Sequence, residues 1–214
     1  MIHLTRLPEP KILVQKKAEW LNKFLQSGYA RPSNTTYGHT EIRRDLDTIS
    51  HHKCFYCERL LRGVPKEIDH YIEITCDRTE AFKWENLFLA CSNCNDKIPH
   101  NVIPVGDALN PFLHTNEQIE EHVTFNSEVI RIKNDSLLGN RTIKKYRLDS
   151  DVLEFTRSKF LNKFYEDLLN IRDKCSQENR FMNEDETEAL RKYSYPDHPY
   201  SLMFKVILRK RNLL

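Results

Sequence analysis

The sequence predicts an α+β protein in which a short β-containing core is flanked by helices. Helical periodicity dominates both ends of the chain, whereas the middle third contains short β-prone pieces and two pairs of cysteines. The chain has 214 residues, of which 39% are hydrophobic. This length suffices for one sizeable core but is short for two independent domains, so we expect a single unit.

The N-terminal helices are predicted from apolar residues at helical spacing. Residues 10–27 begin with proline and are followed by Gly28, which are common residues at the start and just past the end of a helix. After a turn-rich stretch, residues 40–51 repeat the apolar pattern. Residues 1–50 are therefore expected to form an N-terminal helical segment.

The C-terminal half is predicted to be mainly helical. Residues 122–133 alternate between apolar and polar side chains and indicate one or two strands, and residues 151–174 form a long amphipathic pattern. The acidic residues 183–190 favour the start of another helix, and residues 201–211 predict an apolar helix or strand with a basic tip. We expect residues 111–214 to pack on the core.

The overall charge does not decide between function classes. The formal net charge is +2, which neither demands nor excludes a nucleic-acid partner. The N-terminus lacks the apolar stretch of about 7 to 15 residues found in secretory signals, and no apolar run approaches the roughly 18 residues of a membrane span. We expect a soluble, cytoplasmic protein with no membrane partner.

The two cysteine pairs predict a structural zinc site. Cys54 and Cys57 form one C-x-x-C pair, and Cys91 and Cys94 form a second pair after 33 intervening residues. Thiols stay reduced in the cytosol, and four thiolates at this spacing can close a tetrahedral site that Zn²⁺ favours. Such a closed site has no open coordination position, so the zinc is expected to stabilise the fold and any chemistry must come from the intervening residues.

Other candidate ligands and thiols stay open as alternatives. His51 and His52 lie close enough to Cys54 to replace one cysteine, although histidines at an exposed helix end are the simpler interpretation. Buried free thiols or an iron-sulfur cluster are the alternatives to zinc. Cys76 and Cys175 have no partner at ligand spacing and are expected to be ordinary small residues.

The residues between and after the cysteine pairs form an ordered set of short motifs. Asp69-His70 comes first, Asn86 follows in an Asn-Leu step, and Asn95 directly follows the last cysteine. This order resembles that of the HNH endonucleases. The resemblance implies a zinc-stabilised ββα-metal core, also called a His-Me finger, over residues 51–110.

The chemistry expected of these residues is phosphodiester hydrolysis. His70 is the candidate base that deprotonates water, and Asp69 and Asn95 offer the oxygen ligands that Mg²⁺ or Mn²⁺ prefers. Neighbouring side chains on a strand point to opposite faces, so Asp69 and His70 can serve one site only if the strand ends or bends there. Asn86, by the resemblance, holds the loop and orients the histidine.

Several basic residues are candidates for substrate binding. Lys97 follows Asn95 by two residues and can meet a phosphate, with a solvated lysine as the alternative. His100 is an alternative to Asn95 as the final residue of the motif. The basic runs in residues 141–147 and 209–211 can neutralise phosphates or form a solvated face.

The flanking sequence resembles the PtuB-type HNH nucleases of Septu anti-phage systems, which also occur as retron-associated effectors. The supporting segments are residues 53–58, 84–87, 109–112 and 142–157. The resemblance implies a DNA substrate and control by an ABC-type ATPase partner of the PtuA kind. In retron versions it also implies a reverse transcriptase with its RNA-DNA product. A catalytically inactive zinc-containing adaptor and an RNA-targeting HNH nuclease are the alternative functions.

Overall fold

The structure is a computed structural model that describes all 214 residues. Its helices are α1 (Lys11–Gln26), α2 (Asn34–Tyr37), α3 (Thr40–Ile49), α4 (Ser92–Asn95), α5 (Asn116–His122), α6 (Leu137–Lys145), α7 (Asp151–Gln177), α8 (Glu184–Arg191) and α9 (Ser201–Lys210). Its strands are β1 (Glu67–His70), β2 (Leu87–Ala90), β3 (Val123–Asn126) and β4 (Val129–Ile132). They form two separate two-stranded antiparallel sheets. The predicted α+β class is confirmed.

Helix α1 packs its apolar face on the segment that follows β1. The predicted helices at residues 10–27 and 40–51 are present as α1 and α3. The Trp20 and Phe24 rings lie 5.8 and 6.4 Å from the ring of Phe82, which belongs to a 3₁₀ turn over Arg78–Phe82. Burial of these aromatic faces attaches the N-terminal segment to the centre of the chain.

A small ββα unit lies at the centre of the protein. Strand β1 pairs with β2 so that Asp69 lies opposite Phe88 and His70 lies opposite Leu87. Every residue of β2 is buried, and α4 follows it at once and contacts β1. The apolar run that ends at Ala90 thus forms the buried strand that pairs with β1. Burial of all four residues is expected for a strand that is covered on both faces.

The C-terminal region forms a hairpin and a set of packed helices. The alternating residues 122–133 become β3 and β4, and the predicted long helix is α7, which has 27 residues. Residues 201–210 are a helix rather than a strand, with Met203 and Phe204 fully buried. None of the helices combines the length and the apolar character needed to cross a bilayer.

One hydrophobic core runs through all three predicted regions. A cluster of 43 buried residues extends from Met1 to Leu208 and includes the four paired cysteines. Lys145, at the end of α6, is fully buried, and its Nζ donates to the carbonyls of Ile98 and Ile103, both at 2.8 Å. The C-terminal region therefore contacts the central unit through polar as well as apolar groups.

Candidate active site and zinc centre

The four paired cysteines converge on one point. All four are buried, their sulfur atoms lie within 4.8 Å of one another, and the Sγ atoms of Cys57 and Cys91 are 3.8 Å apart. Tetrahedral zinc with Zn–S bonds of about 2.3 Å separates its sulfur ligands by about 3.8 Å. The donor set therefore fits a structural Zn²⁺ made by Cys54, Cys57, Cys91 and Cys94, with no histidine needed.

The turn that carries Cys54 and Cys57 is hydrogen bonded directly to the central sheet. The amide of Phe55 donates to the carbonyl of Leu89 in β2 at 2.9 Å, and the amide of Cys54 donates to the carbonyl of Arg59 at 2.9 Å. His51 and His52 have left-handed backbone conformations, with φ of 54° and 63°, and end α3 outside the sulfur cluster. The cysteine cluster thus fixes the end of β2 and the start of α4.

The remaining two cysteines lie apart from the metal site. Cys76 is exposed, and Cys175 is buried in α7, where its sulfur contacts the carboxylate of Glu186 at 3.5 Å. Neither belongs to the sulfur cluster.

His70 lies at the last position of β1, where the strand ends. Its Nε2 lies 2.9 Å from the carbonyl of Ala81, and its ring meets the edge of the Tyr37 ring at 4.9 Å. A nitrogen facing a carbonyl must carry the proton, so the neutral ring has an unprotonated Nδ1, which makes no hydrogen bond within the protein. Burial, together with repulsion from Lys97 and Arg31, lowers the pKa of His70 to about 4, and the hydrogen bond with the Ala81 carbonyl only partly opposes this fall. The imidazole is therefore neutral at pH 7 and can accept a proton.

Asn86 braces the loop that follows His70. Its Oδ1 accepts from the amide of Ile72 at 2.6 Å, and its Nδ2 donates to the carbonyls of Ile72 and Glu80 at 3.0 and 3.1 Å. Its own carbonyl accepts from the amide of Tyr71 at 2.8 Å. Because Glu80 adjoins the residue that binds Nε2, this buried side chain connects the turn after His70 to the segment that orients the ring.

Asp69 is buried, and both of its carboxylate oxygens accept hydrogen bonds within the protein. The Tyr56 hydroxyl donates to its Oδ2 at 2.6 Å, and Lys97 Nζ donates to Oδ1 and Oδ2 at 2.9 and 2.7 Å. Burial raises the pKa of Asp69, while the Lys97 ammonium and the Tyr56 hydroxyl oppose that rise. The carboxylate that the sequence assigns to a catalytic metal is therefore already neutralised by a lysine.

Lys97 does not lie where the sequence interpretation placed it. It is only 8% exposed, and besides Asp69 its ammonium donates to the carbonyls of His70 and Tyr71 at 2.7 and 3.0 Å. Its donors are therefore committed within the protein, so Lys97 is neither solvated nor free to meet a phosphate in this arrangement. It instead connects α4 to the end of β1.

Asn95 pairs with a carboxylate that sequence reasoning missed. At the end of α4, its Nδ2 donates to Glu67, which lies two residues before Asp69 on the same face of β1. The i, i+2 spacing of Glu67 and Asp69 was the signal that could have identified it. Glu67, Asn95 and Asp69 together present oxygen atoms of the kind that suits Mg²⁺ or Mn²⁺, with those of Asp69 held by Lys97 and Tyr56.

His100 and the basic runs have other roles. The His100 ring accepts a hydrogen bond from the amide of Val105 at 3.3 Å and lies outside the cleft described below. In the first basic run, Arg141 and Arg147 pair with Asp107 and Asp96 at 2.7 and 3.1 Å, and Lys145 is buried. The C-terminal run also contacts protein groups: Arg209 pairs with Glu120, and Lys210 and Arg211 contact the Phe125 carbonyl and the Tyr165 hydroxyl.

A cleft of about 520 Å³ opens beside His70 and Asn95. Its lining comes from Lys66 and β1, from residues 73–75, from four residues between positions 95 and 99 at and after the end of α4, and from six residues between positions 30 and 43 of the N-terminal segment. The candidate site is therefore built from residues inside and outside the ordered motifs.

Comparison with known proteins agrees with this architecture. Residues 54–100 match the HNH endonuclease family. The chain is also 33% identical over 99 residues to the Septu protein PtuB of Bacillus thuringiensis, an alignment covering 45% of this chain and 37% of that protein. The match thus spans little more than a third of that relative, and it confirms the resemblance expected from the motifs. Residues 54–100, which contain the four paired cysteines, β1, β2 and α4, are therefore the part of the chain that is similar to the HNH endonucleases.

Proposed function

We propose that this chain is a metal-dependent endonuclease that hydrolyses phosphodiester bonds in DNA, with His70 as the general base. The observation that carries the proposal is the state of His70. Its ring is neutral at pH 7, its Nε2 is fixed by a backbone carbonyl, and its unprotonated Nδ1 belongs to a residue that lines the cleft.

The proposed reaction uses His70 as the proton acceptor. His70 Nδ1 accepts a proton from water while the water oxygen bonds to phosphorus, and the bond from phosphorus to the 3′ oxygen breaks. The 3′ oxygen takes a proton from solvent, which leaves 5′-phosphate and 3′-hydroxyl ends. An anionic phosphate beside the ring stabilises the imidazolium and raises the low pKa of His70 while substrate is bound. The Ala81 carbonyl keeps accepting from Nε2 throughout.

The expected metal site lies on the side of β1 that carries the oxygen ligands. A bound Mg²⁺ or Mn²⁺ supplies a positive charge that stabilises the negative charge developing on the phosphate oxygens. Asp69 and Asn95 are the ligands that the family resemblance implies, and Glu67 is a third. Asn95 and Glu67 hydrogen bond only to each other through their side chains, whereas Asp69 would be available to a metal only if the Lys97 ammonium were displaced.

The similarity to a Septu protein supports a place in anti-phage defence. In this proposal an ABC-type ATPase of the PtuA kind restrains the nuclease, and a retron reverse transcriptase with its RNA-DNA product is the partner in related systems. A net charge of +2 is expected to give the chain alone only salt-sensitive DNA binding that is weak at physiological salt, which is consistent with recruitment by a partner.

Cleavage by the purified full chain tests the proposal, alone and together with an ABC-type ATPase of the PtuA kind. We expect DNA to be cut with Mg²⁺ or Mn²⁺ and to stay intact with a chelator that spares the tighter zinc site. His70→Ala should abolish cutting. His3 lies outside the cleft, so His3→Ala should cut like wild type. Intact DNA in every wild-type reaction, or cutting by His70→Ala, would refute the mechanism. Cutting of RNA alone would reassign the substrate, and binding without cutting would favour an inactive adaptor.

A further inference from the structure

Part of the cleft lining comes from a segment of the chain that no motif covers. Five residues between positions 30 and 37, from the turn after α1 to the end of α2, line the cleft together with His70 and Asn95. These residues lie before the range that matches the HNH family. The segment therefore adds side chains to the site that the family match does not assign.

The segment is held in place by several contacts. Arg43 donates to Asn34 Oδ1 at 3.0 Å, to the Gly38 carbonyl at 2.8 Å and to the Lys66 carbonyl at 3.1 Å. Tyr37 lies against the His70 ring, and Pro32 is buried. The backbone next to Pro32 is therefore fixed relative to the candidate base, which is what a substrate-binding residue requires.

Four cations line the cleft, and three of them are committed to protein groups. Arg43 donates to the acceptors just described, Lys66 pairs with Asp47 at 2.6 Å, and Lys97 is buried on Asp69. Arg31 is exposed and makes neither an ion pair nor a hydrogen bond within the protein. The cleft thus contains one guanidinium whose donors are all free.

The anions of the cleft do not satisfy Arg31. Glu67 accepts from Asn95, Glu73 lies 3.3 Å from the Lys145 ammonium, and Asp96 pairs with Arg147 at 3.1 Å. A free guanidinium beside a neutral base can form two parallel hydrogen bonds with the oxygens of a phosphodiester, which a lysine cannot do.

We infer that Arg31 is a phosphate-binding residue of this nuclease site, which it supplies from the N-terminal segment to the DNA backbone next to the bond that is cut. The inference rests on the proposed function, since it names a substrate contact of the same cleft. Arg31 positions the phosphate and takes no part in proton transfer.

DNA binding by the zinc-loaded full chain tests this inference. The probe is a short fluorescein-labelled DNA duplex, and the protein carries His70→Ala so that no cutting occurs. Anisotropy is measured over a series of salt concentrations for this protein, for an added Arg31→Gln and for an added Arg172→Gln. Arg172 is exposed on α7, outside the cleft and without a partner, so it controls for the loss of one positive charge.

We expect Arg31→Gln to weaken binding about tenfold to a hundredfold, as for loss of a charged hydrogen-bonding group. It should also reduce the slope of log affinity against log salt by about one. Arg31→Lys should recover part of the affinity, and Arg172→Gln should leave both quantities near those of the parent. Equal behaviour of Arg31→Gln and Arg172→Gln would overturn the inference.

Cleavage assays on the Arg31 variants with the wild-type His70 retained separate this inference from the proposed function. If wild type cuts DNA and Arg31→Gln cuts equally well, the nuclease assignment stands and Arg31 is excluded. If DNA binding depends on Arg31 but wild type never cuts, the phosphate contact stands and the endonuclease proposal fails. If the His70→Ala protein does not bind DNA at the lowest salt, the Arg31 inference is wrong.

Discussion

Lys97 holds Asp69 through both carboxylate oxygens, at 2.7 and 2.9 Å, inside the strand end that also carries His70. The two side chains are 4% and 6% exposed, so the pair is shielded from water. A buried pair of this kind has little net effect on stability when intact, whereas loss of either partner leaves an uncompensated charge. The contact therefore makes the stability of the site depend on Lys97.

Replacing Lys97 by methionine should be strongly destabilising. Lys97→Met leaves the Asp69 carboxylate buried without its cation, and the expected loss is about 3–5 kcal/mol in the free energy of unfolding. Urea denaturation followed by circular dichroism measures it. The double variant Lys97→Met with Asp69→Asn should be more stable than Lys97→Met alone, because no orphaned charge remains. A loss below about 1 kcal/mol for Lys97→Met would mean that the pair is solvated.

Removal of zinc should unfold the chain. A structural Zn²⁺ contributes on the order of 10 kcal/mol to folding, which is comparable to the total stability of a typical domain. Cys91→Ser, which removes one of the four ligands, should lose the metal and lower the melting temperature. Cys76→Ser is the matched control, because Cys76 is exposed and outside the cluster. Zinc content by elemental analysis and thermal unfolding give the two readouts, and a zinc-free but stable Cys91→Ser would contradict a structural role.

Truncation of Asn86 should loosen the loop next to His70. Asn86→Ala deprives two backbone groups of Ile72 and the Glu80 carbonyl of their partner, which is expected to cost about 1–3 kcal/mol. Hydrogen exchange should show faster exchange at the Tyr71 and Ile72 amides. Asn101→Ala, at an exposed asparagine, is the control and should leave both measurements unchanged. Unaltered exchange at Tyr71 and Ile72 would exclude a bracing role.

Tyr37 should affect catalysis through its ring and not through its hydroxyl. The ring packs against His70 at 4.9 Å, while the hydroxyl makes no hydrogen bond within the protein. Tyr37→Phe is therefore expected to cut DNA like wild type, and Tyr37→Ala to lower kcat about tenfold by releasing the imidazole. Steady-state cleavage of a labelled duplex separates kcat from KM. A Phe variant as slow as the Ala variant would point to the hydroxyl instead.

Sequence patterns anticipated the local structure well, because their signals are local. The helix over residues 10–27 follows from apolar periodicity between a proline and a glycine, and the four cysteines follow from their C-x-x-C spacing. The sequence analysis required the strand to end or bend at this point if Asp69 and His70 serve one site, and β1 ends at His70. Features that depend only on residues close together in the sequence can be predicted without knowing the fold.

The partners within the site could not be anticipated in the same way. Whether Lys97 meets a phosphate or Asp69 depends on how α4 packs against β1, which no spacing encodes. Glu67 escaped notice because a charged residue on a short strand is usually solvated. Arg31 and Tyr37 lie more than thirty positions before His70 in the chain, and only tertiary packing brings them to the cleft.

The burial of Lys145 limits how far the central unit, residues 51–110, can be moved as a separate module. Its ammonium satisfies the carbonyls of Ile98 and Ile103, which belong to the predicted central region, although the lysine itself belongs to α6. A chimera that transplanted residues 51–110 into another scaffold would leave those two carbonyls without a donor and would expose apolar surface on both sides. Transfer to another protein is therefore expected to succeed only when the central unit is moved together with both flanking regions.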